Sequence, residues 1–258
     1  MVVDENKIGS AKILNFASVF FSVGAILSPL IISNFIASGG NWKYVYYAIA
    51  ILYGVLGVLF FIAKTTKKPA MQKKSGFISF KLYKNKYFLL ACLMIFVYIG
   101  AENAATAWNV NIFNSTVMGA SALAAFWAAM GISRFLGGIV RKERLHTYML
   151  ISMVIGICGF VGIIFLNAYE MPVLMCFFVL GFGLGPLWPS FFSMGLDNAG
   201  EFSGAGSGCV MLFSSLGGVV LPLILGVLAG FNIMIAGIVF LAVVLVLMQI
   251  YIKLTRKQ

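Results

Sequence analysis

Charge is scarce in this sequence. Only 10% of its 258 residues are Asp, Glu, Lys or Arg, against about 25% in an average soluble domain. A soluble fold of this length could bury a core, but it has no room for the eight long apolar runs present here. Histidine is represented once, by His146 in a basic turn, so a metal site is not expected. The four cysteines, Cys92, Cys158, Cys176 and Cys209, all fall inside apolar runs without CxxC or His spacing. That excludes a disulfide framework and a zinc site and leaves buried free thiols. The first residues, Met1 to Lys7, are partly charged and lack a short apolar core with a cleavage site, so no signal peptide is expected. No cofactor is expected either.

What is present in excess is apolar sequence, 62% of the chain. It is gathered into runs at roughly 12–37, 42–63, 87–113, 119–140, 147–166, 171–195, 204–229 and 232–252. Each approaches the ~20 residues needed to cross ~30 Å of hydrocarbon as a helix. Transmembrane strands would be about 10 residues long and strictly alternating. The fold class predicted is therefore all-α, a polytopic membrane protein with eight transmembrane helices.

The net charge of +11 and pI near 9.6 would suggest nucleic acid in a soluble protein. Here the basic residues sit in gaps between runs, and no nucleic-acid partner is expected. Segments 1–12, 64–86, 141–146 and 253–258 hold 2, 8, 3 and 3 of the 18 Lys and Arg residues. Only Lys43 lies in an opposite gap, and Arg134 lies within a run. The positive-inside rule then predicts a multi-pass cell-membrane protein with both termini cytoplasmic. Trp42, Tyr44, Tyr46 and Tyr47 would join the outer aromatic belt. The 64–86 stretch is the candidate boundary between two bundles. Its second part interleaves aromatics with lysines and reads either as a helix on an anionic inner leaflet or as a plain basic linker.

Shifted by 193 positions, residues 4–32 align without a gap on 197–225. The pairs Asp4/Asp197, Ser22/Ser215, Gly24/Gly217 and Pro29/Pro222 coincide, the last within a shared Gly-x4-Pro-Leu-Ile. The matched segments are the first and seventh runs, so the repeat unit is six helices, the symmetry of transporters built from two parallel halves. Further motifs are Ile99-Gly-Ala-Glu102 with Trp108, Gly131-Ile-Ser-Arg134-Phe-Leu-Gly-Gly138, and Gly183-Leu-Gly-Pro-Leu-Trp188-Pro189. On these the chain resembles helices five to twelve of a major facilitator superfamily transporter, most closely the fucose permease type, a branch of sugar/proton symporters.

The resemblance implies that 1–63 are the last two helices of an N-terminal bundle, 64–86 a cytoplasmic linker and 87–258 a complete six-helix C-terminal bundle. It also implies that the family's first four helices are missing partners, together with the carboxylates the family is thought to use for proton coupling. By the same resemblance run one packs on run four. Run seven is expected to have lost its counterpart, leaving the glycines of its face against lipid.

Charges inside a bilayer cost about 2.5–3.5 kcal/mol each on insertion scales, and two candidates stand out, Glu102 and Arg134. Tyr98, Glu102, Thr106 and Asn109 recur at helical spacing as one polar stripe, predicted to face a wet cavity and bind a polyol, with Glu102 exchanging a proton. The alternative places Glu102 near the outer interface, bonded to a neighbouring helix. Asn15, with Ser18 and Ser22, is a candidate to line the cavity from the other half, although Ser often bonds its own helix. Arg134 either snorkels to the inner interface or pairs with Asp197 or Glu201 as a gating latch. Gly181-x-Gly-x-Gly185 with Pro186 and Pro189 is not a phosphate loop, since no strand precedes it. It predicts a bent gating helix. Gly204 and Gly208 read as close helix packing.

The function expected is secondary active transport by alternating access, with proton-coupled uptake of a sugar or other small polar solute, and no enzymatic chemistry. The competing readings are a drug or metabolite exporter of the same superfamily and a non-transporting membrane remnant or scaffold.

Overall fold

The computed structural model describes residues 10–62, 80–107, 109, 112, 113, 115–227 and 233–255. Among these residues all regular structure is helical, and eight stretches are long and apolar enough to cross a membrane. Helices α1 (Ser10–Ala37) and α2 (Trp42–Ile62) come first. Between them Gly39 adopts a φ of +87°, the left-handed conformation that stops a helix at little cost to glycine. A five-residue turn, α3 (Phe80–Lys84), precedes α4 (Lys86–Ala107). Asn85 starts α4 by accepting the N–H groups of Tyr87 at 3.0 Å and Phe88 at 3.4 Å, as an N-cap does. There follow α5 (Thr116–Ile139), α6 (Lys142–Leu166), α7 (Glu170–Leu184), α8 (Leu187–Ala199), α9 (Ser203–Val227) and α10 (Ile233–Thr255).

The predicted runs thus reappear as helices, with two corrections. Run three ends at Ala107 rather than 113, and run six is one span of two helices, broken at Gly185-Pro186. Residues 63–79, most of the basic stretch, lie outside the described residues, as does Trp108. The part that is described, α3, docks on the bundle by burying Leu82.

Among the described residues the buried apolar core runs from Leu82 to Tyr251, with Leu14 of α1 packed against it. Helix α1 packs along α5 and touches α8, the run-one-to-run-four pairing expected. No residue of α2 is buried, and Trp42, Tyr44, Tyr46 and Tyr47 at its start are all exposed. Apolar side chains such as Phe61, 91% exposed, belong against lipid.

Between membrane helices there is no hydrophobic drive, so close approach depends on small residues. A Cβ at Gly181 would overlap the backbone carbonyl of Phe126, and one at Gly185 would lie 2.7 Å from that of Met130, both on α5. One at Gly183, on the opposite face, would overlap the backbone of Gly156 on α6. The Gly-x-Gly-x-Gly segment therefore wedges α7 between two neighbours. On α9 the expectation is corrected. Gly204 and Gly208 are exposed, and a Cβ at Gly208 would meet nothing within 4 Å. Gly206 and Gly217, by contrast, press on Ala199 and the Phe96 backbone. This part of the run-seven glycine face is covered by the bundle's own helices rather than left to lipid.

Candidate functional site

The site is organised by the break between α7 and α8. Proline has no N–H to give the carbonyl four residues back. Pro189 therefore leaves the Gly185 carbonyl without its helical donor, while the surrounding ladder holds (Gly185 N–H to Gly181 at 3.0 Å, Ser190 N–H to Pro186 at 3.3 Å). A buried carbonyl must find a partner. Gly185 O accepts from Arg134 Nε at 3.1 Å, and the adjacent Leu184 O accepts from the Tyr98 hydroxyl at 3.3 Å. Pro186 and Pro189 are both buried here. Pro189 shapes the site by freeing the Gly185 carbonyl, and Pro186 stands at the break itself.

Tyr98 is fully buried, edge-on to Phe191 at 6.2 Å between ring centroids, and its single hydroxyl proton is shared between Leu184 O and Glu102 Oε2. The other half of the predicted stripe does something else. Thr106 donates its hydroxyl to the Glu102 carbonyl at 3.0 Å, within its own helix. Asn109 lies beyond the end of α4, where its Nδ2 donates to Gly119 O at 2.7 Å, tying α4 to the start of α5. It left the stripe because the helix that would have carried it stops at Ala107.

Arg134 is 4% exposed. Besides Gly185, its Nη1 donates to Ser18 O and Ser22 Oγ, both at 3.2 Å, and its guanidinium carbon stands 5.7 Å from the Phe21 ring. The predicted latch to Asp197 is therefore not what this structure makes. Asp197 is exposed at the far end of α8, some twelve residues or about 18 Å of helix beyond Gly185. The Glu201 side chain lies outside the described residues. Sequence depth put Arg134 near the inner boundary, but a free carbonyl and α1 lie within reach deeper in the bundle. Asn15 is fully buried, with its Oδ1 3.0 Å from the Cβ position of Gly137 and Pro186 Cβ close by. It packs at the α1–α5–α8 junction rather than lining the cavity.

Glu102 and Arg134 line one cavity of about 410 Å³, closed by Ser18 and Phe21 on α1, Ile99 on α4 and Trp188 on α8. Opposite charges in one low-dielectric cavity balance each other, whereas either alone would be an uncompensated buried charge. The Trp188 ring stacks on Phe192 at 5.2 Å and 17° and donates from Nε1 to Ser214 Oγ at 3.2 Å. A flat aromatic face thus stands beside hydrogen-bonding groups. A larger cleft of about 670 Å³ between α1 and the Thr116 end of α5 is lined mostly by apolar side chains and holds no charged group.

Residues 10–222 match the family described as the Major Facilitator Superfamily. This chain belongs to the major facilitator superfamily. A glucose/galactose transporter of Brucella abortus biovar 1 (strain 9-941) is 27% identical over 246 residues, and so is one from strain 2308. The alignments take in 85% of this chain but only 57% of each relative. The E. coli fucose:proton symporter FucP matches in structure with a TM-score of 0.71 at 18% identity, over 93% of this chain and 68% of that one. A FucP structure in the outward conformation matches with a TM-score of 0.68 at 17% identity, again over 93% and 68%. The family is one of multi-pass membrane transporters and not of enzymes.

Within this major facilitator fold, the stripe contributed Tyr98 and Glu102, and the intramembrane charge contributed Arg134. Trp188 is a site residue that the sequence marks only within the Gly183-Leu-Gly-Pro-Leu-Trp188-Pro189 motif. Its signal was a Trp one residue before a helix-breaking proline. Ser18 and Ser22 each bond their own helix as expected, Ser18 Oγ to Leu14 O at 2.6 Å and Ser22 Oγ to Ser18 O at 3.3 Å. Only the tertiary structure adds their acceptor role toward Arg134.

Proposed function

We propose that this chain forms the larger part of an alternating-access sugar transporter that takes up a neutral hexose-like solute with protons. The observation that carries the reading is the cavity in which Glu102, Arg134 and Trp188 meet α1 at a kinked span. Rocking of two bundles around such a midplane site is how transporters of this symmetry work. In this reading Tyr98 positions the Glu102 carboxyl, which binds solute hydroxyls and exchanges the proton, while Trp188 stacks on the sugar face. The similarity to the Brucella glucose/galactose transporter and the E. coli fucose:proton symporter supports a sugar and a proton. No specific feature of the cavity favours an exporter of apolar compounds.

The bundle division is part of the proposal: 1–63 from one half, 64–86 a linker, 87–258 the other half. The fully buried apolar side chains, which among the described residues lie between Leu82 and Tyr251, support it. So does the repeat, because Gly217 is pressed on the Phe96 backbone of α4 while its mate Gly24 meets nothing within 4 Å. A Gly24 partner equivalent to α4 belongs to the preceding part of the first half, the missing helices of the same transporter.

Two measurements test this reading. In proteoliposomes with an inward proton gradient, the 258-residue chain alone is expected to accumulate no labelled galactose. Joined to the N-terminal part of a Brucella relative, it is expected to accumulate galactose well above empty liposomes. Galactose uptake no better than empty liposomes by a folded chimera would overturn the proposal. For orientation in the cell membrane, reporter fusions at Ser38 and Ser75 are expected to read outside and inside, as both cytoplasmic termini require. The reverse pattern would overturn the topology.

A further inference from the structure

We propose that Arg134 is the movable tie between α1 and the six-helix bundle, released when solute hydroxyls replace Ser18 and Ser22 as its acceptors. The proposal rests on the two-bundle transport reading above and names a conformational role for Arg134 within that site.

The two sides of Arg134 are held unequally. On the bundle side Nε bonds Gly185 O at 3.1 Å, a carbonyl that Pro189 has left with no other helical donor, so leaving it would strand a buried acceptor. On the α1 side Nη1 donates to Ser18 O and Ser22 Oγ, both at 3.2 Å. Neither α1 acceptor depends on Arg134: Ser18 O also accepts from Ser22 Oγ at 3.3 Å, and Ser22 Oγ keeps that bond when Arg134 leaves. Separation at this point therefore breaks the α1 bonds and keeps the bundle bond.

The tie also sits where α1 parts from α5. One turn earlier on α5, a Cβ at Gly131 would come 3.1 Å from Ser22 Cβ, so glycine is what lets α1 within reach of Arg134. On one side of this point α1 stays close, with Phe16 against Gly138 and Asn15 against Gly137. On the other side the 670 Å³ cleft separates Ile36 and Ser33 from Thr116 and Leu123. A joint at the fork controls how far the open end spreads.

Arg134 faces the cavity where the solute would bind. Two sugar hydroxyl oxygens can accept from Nη1 as Ser22 Oγ and the Ser18 backbone carbonyl do, so exchange keeps the number of hydrogen bonds and is close to balance. A near-balanced equilibrium needs only modest differential binding to shift its populations. The Phe21 contact is lost on release, but Glu102 stays on the bundle side of the cavity, so the freed guanidinium keeps a counter-charge.

The test uses the 258-residue chain in lipid nanodiscs, with Cys92, Cys158, Cys176 and Cys209 replaced by alanine. Spin labels go on the diverging ends at Ala37→Cys and Val117→Cys, with a control pair inside the bundle at Val117→Cys and Tyr169→Cys. The parent is expected to give one main Ala37–Val117 distance. Arg134→Gln should raise a longer-distance population about tenfold, and Ser22→Ala should raise it less, with the control pair unchanged in both. D-galactose should raise the same population in the parent and not further in Arg134→Gln, while glycine betaine at equal osmolality has no effect. Unchanged distances in both variants overturn the tie. If Arg134→Gln disturbs the control pair, Ser22→Ala alone decides. Binding of labelled galactose is measured in parallel. Galactose that binds without shifting the parent overturns the release step and leaves the sugar reading standing. Galactose that does not bind this chain overturns the release step in it, while the variant arm still decides the tie and the chimera above decides the sugar reading.

Discussion

Glu102→Gln in the completed transporter is expected to lower gradient-driven galactose accumulation about 100-fold while leaving membrane insertion unchanged. Two effects act together. Glutamine keeps the shape and accepts the Tyr98 hydroxyl, but it cannot carry a proton through the cycle. It also removes the negative charge that shares the cavity with Arg134. Loss of a positioned proton-transfer group typically costs about 10²–10⁴-fold, and the lower end sets the expected loss because Glu102 is partly exposed. Galactose exchange at equilibrium needs no net proton movement and should fall less than accumulation. Accumulation equal to the parent across the pH range would remove Glu102 from the coupling step.

Gly181→Ala is expected to be the most damaging single methyl group in the bundle. The added Cβ would overlap the Phe126 backbone carbonyl, and a carbonyl in the middle of α5 cannot rotate away without losing its helical bond. Overpacking of a tight core costs about 1–3 kcal/mol and more where backbone must move. The upper end applies here, a fall of about 6–12 °C in midpoint for a chain of this size. Gly208→Ala is the matched control, because its Cβ would meet nothing within 4 Å and alanine is the better helix former. Scanning fluorimetry in detergent, with size exclusion to monitor folding, separates the two. A Gly181→Ala protein that melts within a degree of the parent would show that α5 and α7 are less tightly wedged than described.

Much of this protein is written in one dimension because the bilayer reads one dimension. Run length against hydrocarbon thickness predicts eight spans, and eight long apolar helices are found among the described residues. A spacing of 193 places the six-helix repeat, and Pro186 with Pro189 marks the break in the sixth span, since a missing N–H is a local property of the residue. Tyr98 and Glu102 lie four apart on one unbroken helix, and their hydrogen bond follows from that alone. What sequence could not supply were pairings set by other helices. Asn109 was placed on the stripe by extrapolating α4 past Ala107, and it instead holds Gly119. The partner of Arg134 was sought at a similar depth in Asp197. Tertiary packing brings Arg134 instead to a carbonyl freed by Pro189 and to two serines of α1, 51, 116 and 112 residues away in the chain. Which glycines pack and which stand bare was likewise undecided, because glycine looks the same at Gly208 as at Gly217. Only the facing helix, a carbonyl in one case and open space in the other, makes the difference.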